Sequence, residues 1–385
     1  MAPSASSTRL TYFAAAAPGL ESALHQELAR LGFDATLTEG GVTGNVSLPE
    51  LQDLHLRSAL AESVRVRLKE FVARDFATLE SGLERLPWHA YLVRGAAVEI
   101  RVTCHKSRLI HSDAVRERVS NVLERRLGVP RANPPELARS ASMPIYLRLM
   151  RDRVTPSIGA SGELLHRRGY RVHVEQAPLR ETLAAAMAQY LDSLSEQARS
   201  AVADPFCGSG VLPLEWLRRR LAVLPGAERS FAFERWPIHD APAWQRQRQE
   251  RQTEAAANAP LEPLHAFASD LSAKATETTA SNATRAGVGE RLTLRAIDFR
   301  EALGDLPPGT AILSNPPYGV RLGDARGAQE IYTALDRLLT ARVDLRPVVI
   351  TVFDDRFLRR SKLPWQVLAT TRQGGLALKL LGLRA

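Results

Sequence analysis

Residues 203–217 read ADPFCGSGVLPLEWL, and this run decides the fold. The apolar stretch ending at Asp204 suits a buried strand, the glycines a tight turn, and VLPLEWL the first turns of a helix. Gly208 and Gly210 carry no Cβ, so the backbone there can approach a ligand closely. Working outward, LHAFASD, RLTLRAID, TAILSNPP and RPVVITVFDD are four more strand-like runs separated by helical stretches. That alternation predicts βαβ units around a parallel sheet. The C-terminal VLATTRQGGLALKLL reads as two strands joined at residues 373–375, a hairpin able to finish the sheet antiparallel.

Ligands of doubly wound sheets lie beyond the carboxyl ends of the strands. Three strands here are expected to end in an acid, Asp204, Asp270 and Asp298, and a fourth in Asn315. A dinucleotide fingerprint needs a third glycine where this chain has Pro213, so the turn does not fit a dehydrogenase. S-Adenosylmethionine has no pyrophosphate to cradle. Its methionyl end needs a tight turn and an acid, and its ribose needs a second acid. That places Asp204, Pro205, Phe206, Cys207, Gly208 and Gly210 around the methionyl end, Asp270 on the ribose and Asp298 on the adenine amine. Acids at strand ends also serve as ordinary helix caps. Three of them in order with the glycine turn favour the cofactor.

The stretch ILSNPPYGVRLG, residues 312–323, leaves its strand through Asn315, Pro316, Pro317 and Tyr318. An exocyclic amine of a nucleobase is a poor nucleophile because its lone pair is delocalised into the ring. The Asn315 side-chain oxygen and the Pro316 carbonyl can accept both N–H bonds and steer the lone pair outward. Tyr318 can stack on a base taken out of its helix. The methyl carbon on a sulfonium is already electrophilic, so positioning supplies much of the rate. An amino-methyltransferase is expected, with Asn315 also beside the cofactor.

The first 160 residues differ in character. PGLESALHQELARL has helical spacing with Gly32 as a stop, and ATLTEGG with VTGNVSL suits a hairpin. LQDLHLRSALAESVRVRL is expected to be one helix, AAVEIRVTCH a strand, and SDAVRERVSNVLERRLG a helix capped by Ser112 or Asp113 and stopped at Gly128. PIYLRLMRDRVTPSIGA is expected to be a single strand. Strands and helices do not alternate strictly, which indicates a small α+β region. The stretch 225–262 is the longest insertion between strands, and the sequence assigns it no role.

The net charge is +9, and between Arg101 and Arg171 fifteen Lys or Arg face six Asp or Glu. Basic excess in one segment is the footprint of a polyanion-binding face, although an arginine-rich solvated helix gives the same count. Lys106, Arg108, Arg116, Arg167 and Arg168 are its candidate polyanion contacts. Two cysteines far apart, Cys104 and Cys207, provide neither a disulfide framework nor a zinc cluster. His105 and His111 near Cys104 make no four-ligand set, so no metal is expected. MAPSASSTRL lacks the pattern of a secretory signal and FAAAAPGL is too short to span a bilayer, so a cytoplasmic protein is expected.

DPFCGSGVLPLEW and LSNPPYGVRLG resemble the first and fourth motifs of class I N-methyltransferases. LHRRGYRVHVEQAPLRETLAAAM resembles the entry segment of the THUMP-domain RNA guanine-N2 methyltransferases. LAESVRVRLKEF, LPWHAYL and CHKSRLIHSDAVRERV resemble their THUMP region, and LTYFAAAAPGLESALHQELARLG their N-terminal ferredoxin-like part. The likeness runs from about Tyr12 to the end and is closest to the bacterial 23S rRNA type. It implies an α/β fold: a class I Rossmann-like methyltransferase domain with a mostly parallel seven-stranded sheet at 161–385. An α+β ferredoxin-like part at 1–45 and a THUMP RNA-binding domain at 46–160 precede it. It implies S-adenosylmethionine as cofactor, 23S rRNA as substrate with tRNA as the alternative, and N2-methylguanosine as product. A non-catalytic RNA-binding protein is the rival class. Val211 replaces the usual Thr after the glycines, and SDLSAK lacks the family's acid pair, leaving ribose binding to Asp270 alone. One methyltransferase half is present, so one activity is expected.

Overall fold

The computed structural model describes residues 9–130, 142–171, 179–195, 200–260, 263–317, 325–353, 355–373 and 375–384; side chains are described from 327 onward in the helix that opens at 325. Two sheets divide the chain. The first uses β1 (Leu10–Ala15), β2 (Thr36–Thr38), β3 (Gly41–Val46), β4 (Ser63–Arg67), β5 (Phe71–Val72), β6 (Val98–His105), β7 (Met143–Met150) and β8 (Arg153–Gly159). Its order is β2-β3-β1-β4-β8-β7-β6, with β5 paired to β8. Helices α1 (Glu21–Arg30), α2 (Leu48–Arg57), α3 (Phe76–Glu84) and α4 (Ser112–Leu127) belong to this half. Alternation places Tyr12, Ala14, Val64, Val66, Ile145, Leu147 and Ile158 in the core, so one face of the sheet is buried.

The second sheet uses β9 (Ala201–Asp204), β10 (His265–Asp270), β11 (Leu292–Ala296), β12 (Ala311–Ser314), β13 (Val348–Val352), β14 (Gln366–Gln373) and β15 (Leu376–Leu383). Its order is β11-β10-β9-β12-β13-β15-β14. The first five of these strands are parallel, and β15 runs antiparallel to β13 and to β14. Helices α5 (Glu181–Ser193), α6 (Val211–Arg220), α7 (Ala241–Ala257), α8 (Ala273–Arg285), α9 (Phe299–Gly304), α10 (Ala325–Ala341) and α11 (Arg356–Arg360) accompany it. Order reverses between β9 and β12. A crevice therefore opens at their carboxyl ends.

Three expectations for the first half are corrected. The single helix at 51–68 is α2 followed by β4: after Arg57 the chain changes to a period of two, with Val64 and Val66 buried and Arg65 and Arg67 on the other face. The single strand at 144–160 is the hairpin β7–β8, because Arg151 and Asp152 both take positive φ, 52° and 65°, as a two-residue hairpin turn requires. Helix α4 is capped by His111 without a side-chain bond, so Ser112 and Asp113 lie inside its first turn; Gly128 stops it at φ 60° as expected.

The insertion at 225–262 acquires a role. Its helix α7 lies on α2, where Arg251 grips Asp53 through Nε–H to Oδ1 at 2.7 Å and Nη2–H to Oδ2 at 3.1 Å. Gln247 donates to the Pro49 carbonyl at 2.9 Å. Phe231 and Phe233 set their rings 5.1 and 5.0 Å from that of His55 on α2, and Trp244 closes over them. The insertion clamps the second half of the chain to the first.

Candidate active site

Asp204 ends β9 and is almost fully buried. Ser314 Oγ–H donates to its Oδ1 at 2.6 Å and the Phe206 N–H at 3.1 Å. Burial holds its carboxyl up to about 7, the Asp270 charge adding to the rise against the two donors. Pro205 is buried behind it, and Phe206 packs its ring 4.9 Å from Phe299. The turn then closes on itself, the Gly210 N–H donating to the Cys207 carbonyl at 2.7 Å. Cys207 points inward toward Thr279, and burial pushes its thiol up, so it is no nucleophile. Helix α8 holds the turn from outside: Thr279 Oγ1–H donates to Gly208 O at 2.9 Å and Asn282 Nδ2–H to Ser209 O at 3.0 Å.

Asp270 ends β10 and reaches back to the turn. The Gly208 N–H donates to its Oδ2 at 3.0 Å and the Ser272 N–H to its Oδ1 at 2.9 Å. Each oxygen keeps a further lone pair for a hydroxyl. Asp298 caps α9, accepting from the Arg300 N–H at 2.8 Å and from its guanidinium at 3.0 Å. Asn315 follows β12, half-buried, with Pro316 buried and Pro317 exposed. Thr351 Oγ1–H donates to Asn315 Oδ1 at 2.6 Å. Asp204, Asp270 and Asn315 thus gather at the carboxyl ends of three neighbouring strands; Tyr318 lies outside the described residues.

Four of the expected RNA contacts, Lys106, Arg108, Arg116 and Arg167, are exposed. The fifth is corrected. Arg168 is 2% exposed, and its guanidinium donates to Glu215 on α6 at 3.0 Å and to the Ala59 carbonyl at 2.6 Å. A buried guanidinium needs a carboxylate beside it, which Glu215 supplies, and the bond to Ala59 ties the second half to the first. Sequence reasoning missed Ser314, Thr351, Thr279 and Asn282. Thr351 left a signal: it is the lone hydroxyl in the apolar strand VVITV. A cleft of about 1080 Å³ opens beside the turn, with Arg171, Arg180, Arg229 and Gln373 among its walls. Arg171 links it to the turn through a bond to Ser209 Oγ at 3.2 Å. Among the described residues no group of three or more His, Cys, Asp or Glu is placed to hold a metal, and no helix is long and apolar enough to cross a membrane.

Residues 168–370 match the family model described as "RMKL-like, methyltransferase domain". The chain belongs to this family. Residues 11–65 match the RlmL ferredoxin-like domain, so an RMKL-like methyltransferase domain follows a ferredoxin-like one. The chain is 33% identical over 338 residues to "Ribosomal RNA large subunit methyltransferase K/L" of Psychromonas ingrahamii, covering 85% of this chain and 44% of that protein's length. It is 27% identical to "Putative RNA methyltransferase YpsC" of Bacillus subtilis, covering 84% of this chain and 83% of that one. Among solved structures, SMU.472, "a putative methyltransferase complexed with SAH", superposes with TM-score 0.82 at 25% identity over 98% of both chains. The class I methyltransferase architecture read from 203–217 is thereby established for this RMKL-like chain.

Proposed function

We propose that this protein transfers the methyl group of S-adenosylmethionine to the exocyclic N2 of a guanosine in 23S rRNA, in the cytoplasm. One observation supports it above the rest: Asn315 stands at the carboxyl end of β12, with its amide oxygen fixed by Thr351, beside the Asp204 turn. Asp204 to Gly210 would hold the methionyl end, Asp270 the ribose and Asp298 the adenine. The SAH reported in SMU.472 and the ribosomal RNA named in the Psychromonas relative support the cofactor and the substrate.

The reaction asks little of a general base. The cofactor, when bound, supplies an electrophilic methyl on a sulfonium. Asn315 Oδ1 and the Pro316 carbonyl accept the two N–H bonds of the guanine amine, which holds its lone pair along the line of attack. The proton is lost after the new bond forms, when the methylated amine is acidic. Three exposed cations, Lys106, Arg108 and Arg116, would meet phosphates in the region 46–160 that we assign as THUMP, and Arg167 would do so just beyond it.

Nucleoside mass spectrometry on ribosomal RNA and tRNA, with and without the gene, tests this. Loss of N2-methylguanosine from 23S rRNA is the expected result. Loss from tRNA alone overturns the substrate, and loss of N6-methyladenosine instead overturns the base.

A further inference from the structure

The face of the first sheet opposite its core is a row of rings and guanidiniums. Strand register sets Asn45, Thr11, Arg67, Ser157, Tyr146 and Arg101 side by side across β3, β1, β4, β8, β7 and β6. One step along, Thr43, Phe13 and Arg65 stand opposite one another. The Arg65 guanidinium lies 3.7 Å from the centroid of the Tyr146 ring and 5.8 Å from that of Phe13; Arg67 lies 4.7 Å from Phe13 and Arg101 5.5 Å from Tyr146. Phe13, Arg65, Arg67 and Tyr146 are half-buried, while Arg101 and Arg148 are exposed.

Charge on this face is not balanced. Arg101 and Arg148 pair with the rim acids Glu99 and Glu39 at 2.9 Å. No carboxylate of the described residues lies within ion-pair distance of Arg65 or Arg67, and Arg65 Nε is buried without a hydrogen-bond partner among them. Cation–ring pairs on a sheet can be purely structural, with the ring offsetting part of the charge. Here three guanidiniums share two rings, and the surplus positive charge asks for an anion. Thr11, Thr43, Asn45, Thr103, Thr155 and Ser157 on the same face are polar, and the apolar Ala15, Val72, Pro144 and Met150 lie towards the strand ends, so no continuous apolar patch of the kind a protein interface uses runs between the rings. A second copy would bring the same positive charge against it.

We propose that this sheet face binds a single-stranded segment of the RNA substrate, with bases stacked on Phe13 and Tyr146 and phosphates on Arg65, Arg67 and Arg148. Single strands are favoured over duplex because a paired base offers no free face to stack. The proposal rests on the RNA-substrate reading above, adding a stacking surface to the contacts assigned to Lys106, Arg108, Arg116 and Arg167. Stacking is tolerant of sequence, so the platform would hold the flank of the target rather than choose it.

Fluorescence anisotropy of the full chain with a short labelled single-stranded RNA and with a duplex of the same length tests this. Phe13→Ala and Tyr146→Ala should each weaken single-strand binding about 5- to 100-fold, the cost of one lost stack, while Tyr146→Phe retains it. Arg148→Glu, at an exposed position that packing does not need, should weaken it as well, and ultraviolet crosslinks should map to peptides holding Phe13 or Tyr146. Cofactor binding should stay at the wild-type value in every variant. Wild-type affinity in Arg148→Glu and in correctly folded Ala variants overturns the platform and leaves the methyltransferase reading standing. Substitutions that change only self-association make the face a protein interface instead. A wild-type chain that binds cofactor but no RNA of either form overturns both readings.

Discussion

Thr351 Oγ1–H donates to Asn315 Oδ1 at 2.6 Å, from a strand position that is fully buried. Tyr332 O–H in turn donates to the Thr351 carbonyl at 3.1 Å. The bond fixes which way the Asn315 amide faces. Thr351→Val keeps the shape and removes the hydroxyl. We expect kcat to fall about tenfold, the worth of roughly one hydrogen bond, with cofactor affinity unchanged and Thr351→Ser restoring the rate. Steady-state kinetics beside cofactor titration checks this; an unchanged kcat would leave Thr351 as packing alone.

Asn315→Ala should abolish methyl transfer and leave cofactor affinity nearly untouched, because the amide is assigned to the accepting amine and not to the donor. Asp270→Ala should do the reverse. Its carboxylate joins the Gly208 N–H to the region assigned to the ribose, so losing it should weaken cofactor binding by about 1–3 kcal/mol. Calorimetry on the two variants separates these roles, and a large loss of cofactor binding in Asn315→Ala would reassign that loop.

Burial holds the Asp204 carboxyl up to about 7, well above its value in an unfolded chain. Between the unfolded value and 7 the folded protein binds the extra proton, so this group's contribution to stability declines as pH rises through that window. A cationic cofactor favours the carboxylate. Its binding should therefore release a proton below pH 7, and affinity should climb by up to about tenfold per pH unit before levelling above 7. Asp204→Asn should flatten that dependence. Calorimetry in buffers of different ionisation enthalpy counts the protons, and a wild-type profile that is already flat would remove Asp204 from the site.

Arg251 and Asp53 are 198 residues apart in the chain and form the two-pronged contact between α7 and α2. Asp53 also accepts from Arg57 at 3.0 Å, so Arg251→Ala leaves it partly paired. The variant should lose about 1–3 kcal/mol of interdomain contact and become more open to proteolysis at the junction. Limited proteolysis with mass mapping checks this, and cleavage at the wild-type rate would make the insertion's other contacts sufficient.

The second sheet was legible because each of its five parallel strands carries a continuous signal: an apolar run, then an acid or Asn315. The first was harder. Helix α2 runs into β4 with only five residues left to reveal a period of two, so Arg65 and Arg67 were hidden inside an expected helix. The turn at Arg151 and Asp152 has no glycine to mark its positive φ. Arg168 and the insertion could not be read locally at all, since their partners Glu215 and Asp53 come together only on folding. Charge counting located the basic segment but could not tell the exposed Arg167 from the buried Arg168 beside it.

The two glycines of the turn assigned to the cofactor should fail for different reasons. Both have positive φ, 53° at Gly208 and 80° at Gly210, so alanine at either carries about 1–2 kcal/mol of backbone strain. Their surroundings differ. A Cβ on Gly210 would stand 2.6 Å from Thr279 Cγ2, against a helix that also holds the Gly208 and Ser209 carbonyls; a Cβ on Gly208 meets nothing within 4 Å. Gly210→Ala should therefore push α8 off the turn and lower thermal stability sharply, with or without cofactor. Gly208→Ala should fold with only the strain, yet lose cofactor affinity, because the space its Cβ enters is the space assigned to the methionyl end. Thermal unfolding of the two variants, each with and without S-adenosylhomocysteine, decides between them. If Gly208→Ala is stabilised by that ligand as much as the wild type, the open space belongs to solvent and the cofactor lies elsewhere.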